Sequence, residues 1–196
     1  MLKKGLFLKS VGDEAALTNC YPIEIAVVGK SNVGKSSLIN FLCRNNKLAK
    51  VGKEPGKTRL INYFGIDGNR FVLVDLPGYG YAKVSDAEKI KWGRLIETYL
   101  TRSVGLKHVF VLLDVRRDPD EDDKQMLNYL YYYRIPFTLV ATKCDKISRS
   151  EQNKRRQAIA SVVGVGVDNV FLCSASSGLG ENELCARIEA AISTNE

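Results

Sequence analysis

The chain has 196 residues, which is enough for one sizeable α/β domain and too few for two. Apolar residues make up 45% and charged residues 26% of it, as in an ordinary globular protein, and no apolar run approaches the roughly 20 residues that a membrane span needs. The stretch "GLFL" near the start is too short for the core of a signal peptide. We therefore expect a cytoplasmic protein rather than a membrane or exported one.

The charge and the cysteines add two expectations. A net charge of +7 and an isoelectric point near 9.1 favour a polyanionic partner such as RNA, although basic residues also serve solubility. The cysteines are scattered and include no C-x-x-C pair: Cys20, Cys43, Cys144, Cys173 and Cys185. We therefore expect no disulfide framework or zinc site, and we expect Cys43 and Cys173 to be buried.

Strand-like and helix-like runs alternate along the chain from residue 23 onward. Strands are predicted over residues 23–29, 61–66, 70–76, 108–114, 137–142 and 169–174. Helices are predicted over residues 35–44, 87–102, 120–134, 150–163 and 180–193, the fourth capped by Ser150. In the second helix, the predicted core residues are Ile90, Leu95, Ile96, Tyr99 and Leu100.

Continuously apolar strands that alternate with helices are typical of a parallel sheet covered on both faces. The sequence "DGN" between the second and third strands predicts a tight hairpin, which makes one edge strand antiparallel. The predicted fold is thus a three-layer α/β/α domain over residues 23–196, with a mostly parallel six-stranded sheet. Residues 1–22 are predicted to form an N-terminal arm packed on this domain.

The sequence "GKSNVGKS" fits the phosphate-loop pattern G-x-x-x-x-G-K-[ST] and lies between a predicted strand and a predicted helix. Backbone N–H groups of such a loop converge on phosphate oxygens, and the helix dipole favours their negative charge. Lys35 is predicted to reach the β- and γ-phosphates, and Ser36 to bind Mg²⁺. The predicted nucleotide contacts are Gly29, Lys30, Ser31, Asn32, Val33, Gly34, Lys35 and Ser36.

The sequence "TKCD" follows the end of an apolar strand and indicates which base is bound. The carboxylate of Asp145 can accept hydrogen bonds from N1–H and the exocyclic amine of guanine, which adenine cannot supply. Lys143 is expected to lay its stem along the base, and Thr142 stands where asparagine is usual, so that its contact with the base or the phosphate loop is expected to be weaker. Ala175 is expected to offer its N–H to guanine O6. The remaining predicted contacts of these two segments are Cys144, Ser174 and Ser176.

Two more segments are predicted to sense the γ-phosphate. In "DLPG", Asp75 is expected to hold Mg²⁺ through water and the Gly78 N–H to reach the γ-phosphate, and Leu76 and Pro77 are nucleotide contacts too. The aperiodic loop over residues 45–59 contains "PGKT", in which Thr58 is the second expected Mg²⁺ ligand. The other predicted contacts of that loop are Gly56, Lys57, Arg59 and Leu60.

Together, "GKSNVGKS", "PGKTRLINYF", "DLPGYGYAKV", "TKCD" and "SAS" resemble the EngB (YihA/YsxC) family of bacterial ribosome-assembly GTPases. The resemblance extends from about residue 5 to the last helix. It implies a Ras-like fold, Mg²⁺-dependent hydrolysis of GTP to GDP, and a role in maturing the large ribosomal subunit and in cell division and septation. The implied partners are GTP, GDP and ribosomal RNA, without DNA or membrane, and the implied state is a monomer.

The catalytic assignment is Lys35, Asn32, Thr58 and Gly78. Ras-type enzymes orient the attacking water with a glutamine directly after the glycine of this motif, and here that position is Tyr79, so intrinsic hydrolysis is expected to be slow. Asn32 resembles an asparagine that holds K⁺ against the phosphates in related GTPases. Its alternative role is to tolerate a tight loop geometry.

Two other functions stay open at this point. The first is a GTP-dependent scaffold that binds RNA or the ribosome and hydrolyses GTP incidentally. The second is a phosphate-loop ATPase or kinase, which Asp145 argues against. Basic residues load the two predicted phosphate-sensing regions and favour contact with ribosomal RNA: Lys47, Lys50, Lys53, Lys57, Arg59, Lys83, Lys89, Lys91, Arg94 and Arg102. The tyrosines of "YLYYYR" (residues 129–134) are expected to pack the helix rather than stack on bases.

Overall fold

The computed structural model describes residues 4–18, 21–49, 60–80 and 86–193. The strands are β1 (Leu6–Val11), β2 (Glu24–Gly29), β3 (Ile61–Ile66), β4 (Phe71–Asp75), β5 (Leu106–Asp114), β6 (Phe137–Thr142) and β7 (Val170–Leu172). The helices are α1 (Lys35–Leu42), α2 (Asp86–Arg102), α3 (Glu121–Tyr132), α4 (Arg149–Val163) and α5 (Glu181–Ser193). Among the described helices, none is both long and apolar enough to span a bilayer.

Within the described residues, seven strands form one sheet in the order β1-β3-β4-β2-β5-β6-β7. Strand β2 lies parallel to β4 and β5, and β6 lies parallel to β5 and β7. The mostly parallel α/β sheet is thus confirmed, but the expected count of six strands is wrong. The additional strand is β1, which forms the edge and pairs antiparallel with β3, so that this side of the sheet has two antiparallel pairings, β1–β3 and β3–β4.

The sheet has a helical layer on each face, as predicted. One apolar cluster packs α2, α3 and α4 against side chains such as Ala26 and Val28 of β2. The other packs α1 and α5 against Ile25 and Val27 of the same strand. Successive side chains of a strand point to opposite faces, so an unbroken apolar strand supplies both layers at once.

Several local predictions are met and two are wrong. Asp67, Gly68 and Asn69 turn the β3–β4 hairpin with φ values of 52°, 69° and 69°, which glycine, asparagine and aspartate tolerate. In α2 the expected core residues are buried except Ile90, which is 57% exposed. The capping residue of α4 is Ser148 rather than Ser150.

Candidate nucleotide-binding site

The predicted site residues gather at one edge of the sheet. Strands β2, β4, β5 and β6 run parallel, so their carboxyl ends meet there. Asp75, Asp114 and Thr142 are the last residues of β4, β5 and β6, and Ser174 follows β7 by two residues. In open parallel sheets this edge is where ligands bind.

The phosphate loop joins β2 to the first turn of α1. Gly34 precedes the helix with a φ of 107°, a left-handed backbone that suits glycine. Gly29 packs closely on β5, because a Cβ added there would lie 2.9 Å from Cβ of Leu112. The loop therefore ends on the free backbone N–H groups and the positive dipole end of α1, an arrangement that attracts anions.

Lys35 and Asp75 form a buried ion pair at the start of this helix. The Lys35 Nζ contacts Oδ1 of Asp75, and the residues are 9% and 2% exposed. Asn62 of β3 donates from Nδ2 to Oδ2 of Asp75 at 3.4 Å. Burying an ion pair costs desolvation energy, so a buried pair beside the phosphate loop fits two groups that are kept for a charged ligand.

Lys143 ties the turn after β6 to the phosphate loop. Its Nζ donates to the backbone carbonyl of Asn32 at 2.6 Å and to Oδ2 of Asp114 at 3.0 Å. Arg116 donates to both oxygens of Asp114, from Nε at 2.9 Å and from an Nη at 2.7 Å. Burial opposes ionisation of Asp114, but the hydrogen bonds from Arg116 and Lys143 outweigh it and hold the Asp114 pKa well below its usual range. Asp114 is thus an ionised and fixed acceptor for the Lys143 Nζ.

Sequence reasoning missed Asp114 and Arg116. Asp114 ends a buried strand in the same way as Asp75, and that position was the available signal. Nothing in the sequence pattern shows that its carboxylate meets Lys143, because Asp114 ends β5 and Lys143 follows β6.

Thr142 reaches the phosphate loop directly. Its Oγ1 lies 2.6 Å from the carbonyl oxygen of Val33 and 3.1 Å from that of Leu113. A hydroxyl has one hydrogen to donate, so it serves one of these carbonyls at a time, and the shorter contact is to the loop. Threonine therefore supplies the link to the phosphate loop at this position, with one donor instead of the two of an amide.

Neighbouring side chains hold the carboxylate of Asp145 in place as a hydrogen-bond acceptor. Ser174 donates from Oγ to Oδ1 of Asp145 at 2.6 Å, and Lys146 lies 3.0 Å from Oδ2. Hydrogen bonds from Ser174 and Lys146 lower the pKa of Asp145 to about 2. The group is therefore ionised at neutral pH and accepts hydrogen bonds only, which matches N1–H and the amine of guanine and not N1 of adenine.

The segment after β4 runs beside the phosphate loop. The Leu76 N–H donates to the Val27 carbonyl at 3.0 Å, and Leu76, Pro77 and Gly78 are buried. The Ser31 N–H donates to the carbonyl of Tyr79 at 3.3 Å. Gly78, the predicted γ-phosphate contact, therefore lies between two attachments to the phosphate loop and its strand.

The remaining predicted residues are spread over several environments. Lys30 and Ser31 are half-buried, Val33 and Cys144 are buried, and Asn32 is exposed with a φ of 61°. Leu60 lies against Gly12, which directly follows β1. Ala175 is half-buried and Ser176 exposed in the turn after β7. Gly56, Lys57, Thr58 and Arg59 lie outside the described residues, as does "PGKT" as a whole.

Three features together define a P-loop GTPase. The phosphate loop leads into α1, Asp75 at the end of β4 pairs with the lysine of that loop, and the Thr-Lys-Cys-Asp turn is bonded to the loop. A family model described as "50S ribosome-binding GTPase" matches residues 24–143. "Probable GTP-binding protein EngB" of Caldanaerobacter subterraneus is 43% identical over 191 residues, which are 97% of this chain and 98% of that protein. Its namesake in Streptococcus gordonii is 49% identical over 153 residues, 78% of this chain and 77% of that protein. The chain belongs to the EngB family of GTP-binding proteins and is a GTPase.

Solved structures agree with the fold. A crystal structure of "a probable GTP-binding protein engB" aligns with a TM-score of 0.71 at 23% identity, covering 87% of this chain and 98% of that one. A crystal structure of Era in complex with MgGDPNP and nucleotides 1506–1542 of 16S ribosomal RNA aligns with a TM-score of 0.67 at 21% identity, covering 88% of this chain and 57% of that one. At these identities the likeness supports the fold alone.

Proposed function

We propose that the chain holds GTP across the loops at this sheet edge and hydrolyses it as a switch in assembly of the large ribosomal subunit. The observation that carries the nucleotide site is the bond from Lys143 Nζ to the Asn32 carbonyl at 2.6 Å. It joins the predicted base-binding turn to the predicted phosphate loop. The two halves of the site thus have a fixed spacing before ligand binds, which lowers the ordering cost of binding.

The phosphate half of the proposed site consists of Gly29–Ser36 and the segment Asp75–Gly78. Lys35 would transfer its contact from Asp75 to the β- and γ-phosphates. The Ser36 hydroxyl and the Asp75 carboxylate are hard oxygen donors of the kind that Mg²⁺ prefers, and Thr58 is the further ligand expected from the sequence. Among the described residues, no group of three or more His, Cys, Asp or Glu is arranged for a metal. This pattern suits Mg²⁺, which is usually held by one or two side chains together with phosphate oxygens and neutralises their charge.

The base half of the proposed site is the turn Thr142–Asp145 with Ser174–Ser176. Asp145 would accept from N1–H and the exocyclic amine of guanine, and the Ala175 N–H would donate to O6. Lys143, whose Nζ is held by the Asn32 carbonyl and by Asp114, would cover one face of the base with its stem. Gly56, Lys57, Arg59 and Leu60 complete the proposed nucleotide contacts.

Hydrolysis by this site is expected to be slow without assistance, because Tyr79 has no amide to orient water. We propose that Asn32 helps hold K⁺ against the phosphates, where its charge would act as an arginine finger does, a contribution of about 10³- to 10⁵-fold. The left-handed φ of 61° at Asn32 also suits its alternative role as a residue that tolerates a tight turn. Equal hydrolysis rates in NaCl and KCl would leave Asn32 with that alternative role alone.

The proposed partner is the precursor of the large ribosomal subunit, through its RNA. Support comes from the description of the matching family as a 50S ribosome-binding GTPase and from the net charge of +7. On α2, Lys91, Arg94 and Arg102 are exposed, so their charges are available to phosphates. Lys50, Lys53 and Lys83 lie outside the described residues. A ribosomal partner implies the cytoplasm, we expect a monomer, and the link to cell division and septation stays a prediction.

The direct test is co-sedimentation with large-subunit particles in the presence of GTP, GDP or a non-hydrolysable GTP analogue. The proposal predicts stronger binding with GTP and the analogue than with GDP, and a steep loss of binding as salt rises. The matched variant is Asp75→Ala. A switch loses the difference between GTP and GDP in this variant, whereas a scaffold with incidental hydrolysis keeps full particle binding. Binding that ignores both nucleotide and salt would contradict the proposal.

A further inference from the structure

The side chain of Tyr79 is attached to α3. Its hydroxyl donates to Oδ1 of Asp123 at 2.9 Å, while its carbonyl accepts from the Ser31 N–H at 3.3 Å. Burial and the negative charge of Asp123 raise the pKa of the Tyr79 hydroxyl well above its usual value, so that the group is a proton donor at neutral pH. Tyr79 therefore bridges the phosphate loop and the first turn of α3.

Lys30 of the phosphate loop meets the same turn of α3. Its Nζ contacts Oδ2 of Asp120 and lies 3.6 Å from Asp123 and 3.7 Å from Asp122. Asp123 is only 5% exposed and also accepts from the Asp120 N–H at 3.1 Å. The charge of Lys30 and the dipole of α3 thus fix the position of the Asp123 carboxylate, whose burial would otherwise be costly.

Gly80 lies close to both Lys30 and α3. Its φ is 73°, and a Cβ at this position would lie 3.1 Å from Cε of Lys30 and 3.2 Å from Oδ2 of Asp122. Residues 79–80 therefore lie next to both the phosphate loop and α3. Gly78, the residue directly before, has little freedom to move without breaking these contacts.

We propose that Asp123 and Lys30 are positioning residues for hydrolysis, which act through Tyr79 to set the place of the Gly78 N–H. The inference rests on the proposed contact between that N–H and the γ-phosphate. In this arrangement α3 holds Tyr79 in place, at the position where Ras-type GTPases carry a glutamine. Because only the triphosphate has a γ-phosphate, the effect falls on GTP and not on GDP.

A purely structural role for Asp123 makes a different prediction. As part of the cap of α3, it would affect the stability of the whole domain, and so GTP and GDP binding alike. The ratio of the two affinities separates the roles. Removing the Tyr79 hydroxyl provides a second test of the positioning role, since this change leaves the cap of α3 intact.

The experiment compares Tyr79→Phe, Asp123→Ala and Asp123→Asn with the wild-type chain and with Glu121→Gln. The control lies in the same turn, removes the same charge, is 89% exposed and pairs with Lys124 instead of Lys30. The measurements are the dissociation constants for GDP and for a non-hydrolysable GTP analogue, the single-turnover hydrolysis rate, and the melting temperature of each variant.

We expect Tyr79→Phe and Asp123→Ala each to weaken analogue binding and slow hydrolysis by about two- to tenfold, the range of one ordinary hydrogen bond. GDP affinity should change by less than about twofold. Combining the two substitutions should add little, because both remove the same contact. Asparagine at 123 has one acceptor oxygen where aspartate uses two, for the Tyr79 hydroxyl and the Asp120 N–H, and should therefore restore only part of the loss.

Each remaining outcome overturns the inference. If the wild-type chain hydrolyses GTP and Tyr79→Phe behaves like Glu121→Gln, the contact positions nothing. If GDP and analogue affinities fall together, the role is structural. A wild-type chain that binds neither nucleotide would instead refute the proposed site itself. Should Asp123→Ala fail to fold, Tyr79→Phe still decides the question.

Discussion

At the scale of single residues, Thr142 replaces an asparagine and still reaches the phosphate loop. Its Oγ1 lies 2.6 Å from the Val33 carbonyl, inside a buried part of the site. A buried carbonyl that loses its donor pays the cost of desolvation, which exceeds the net value of the bond itself. The threonine hydroxyl is therefore expected to matter for both the loop and the nucleotide.

Thr142→Val keeps the shape of this side chain and removes only the donor. We expect GDP affinity to fall by about fivefold to tenfold, with a loss of stability on the order of 1 kcal/mol. Thr142→Ser keeps the hydroxyl and serves as the control, with GDP affinity within about twofold of wild type. Titration calorimetry and thermal melting measure both effects. Unchanged GDP binding by the valine variant would contradict this role of Thr142.

His108 is buried in β5, where its Nε2 lies 2.9 Å from Oγ1 of Thr138. Burial, with a smaller contribution from Arg187, lowers its pKa from 6.5 to about 4. The unfolded chain therefore takes up a proton that the folded chain refuses between these pH values. The contribution of neutral His108 to the stability of the folded chain is complete above about pH 6.5 and is lost as the pH falls toward 4.

The His108→Gln variant, which keeps a polar partner for Thr138, isolates this titration. From pH 7 to pH 5, the wild-type chain should lose about 2 kcal/mol of unfolding free energy more than the variant does. Urea denaturation at the two pH values measures the difference. Equal losses in both proteins would show that His108 is protonated in the folded state.

At the scale of elements, α4 begins at a capping box formed by Ser148. Ser148 Oγ accepts from the Glu151 N–H at 3.4 Å, and Oε2 of Glu151 accepts from the Ser148 N–H at 3.1 Å. Ser150, which the sequence suggested, only contacts the Ser148 hydroxyl at 3.0 Å. A sequence with two serines near a helix start leaves this choice open, and backbone geometry decides it.

Ser148→Ala should cost about 1 kcal/mol of unfolding free energy, because the Glu151 N–H at the start of α4 loses its side-chain acceptor. Ser150→Ala is the matched control and should cost less than about 0.5 kcal/mol. Urea unfolding at neutral pH measures both. An equal cost for the two variants would contradict the assignment of the cap to Ser148.

Strand β1 is the element that sequence analysis missed. It pairs with β3, whose residues lie fifty or more positions further along the chain, and the register shifts between Phe7 and Lys9. Leu6 and Phe7 are 62% and 55% exposed, so the usual alternation of buried and exposed residues is absent. Edge strands of this kind owe their conformation to their neighbour rather than to their own pattern.

At the scale of the whole molecule, local pattern predicted most of the fold. The apolar runs located β2 to β7, and glycine and proline located the loops between them, because both signals lie within a few residues. The gathering of Lys35, Asp75, Thr142 and Asp145 followed from the parallel sheet. The contacts of Lys143 with Asp114 and of Tyr79 with Asp123 did not, since each joins residues brought together only by the fold.

The sequence did not show which tyrosines of α3 are exposed. The tyrosines of residues 129–134 lie around a helix, so some were expected to face the core and some not; Tyr129 packs against the core, and Tyr131, Tyr132 and Tyr133 are 51%, 80% and 41% exposed. Helical spacing shows which residues share a face, and it does not show whether another element covers that face.

The central claim is that this sheet edge selects guanine through Asp145. Calorimetric titration of the wild-type chain and Asp145→Asn with GDP, ADP and xanthosine diphosphate, all with Mg²⁺, tests it most directly. The account predicts that the wild-type chain prefers GDP over ADP by at least about 100-fold, and that asparagine shifts the preference from GDP to xanthosine diphosphate. Equal binding of ADP and GDP by the wild-type chain, or an unchanged preference in the variant, would contradict it.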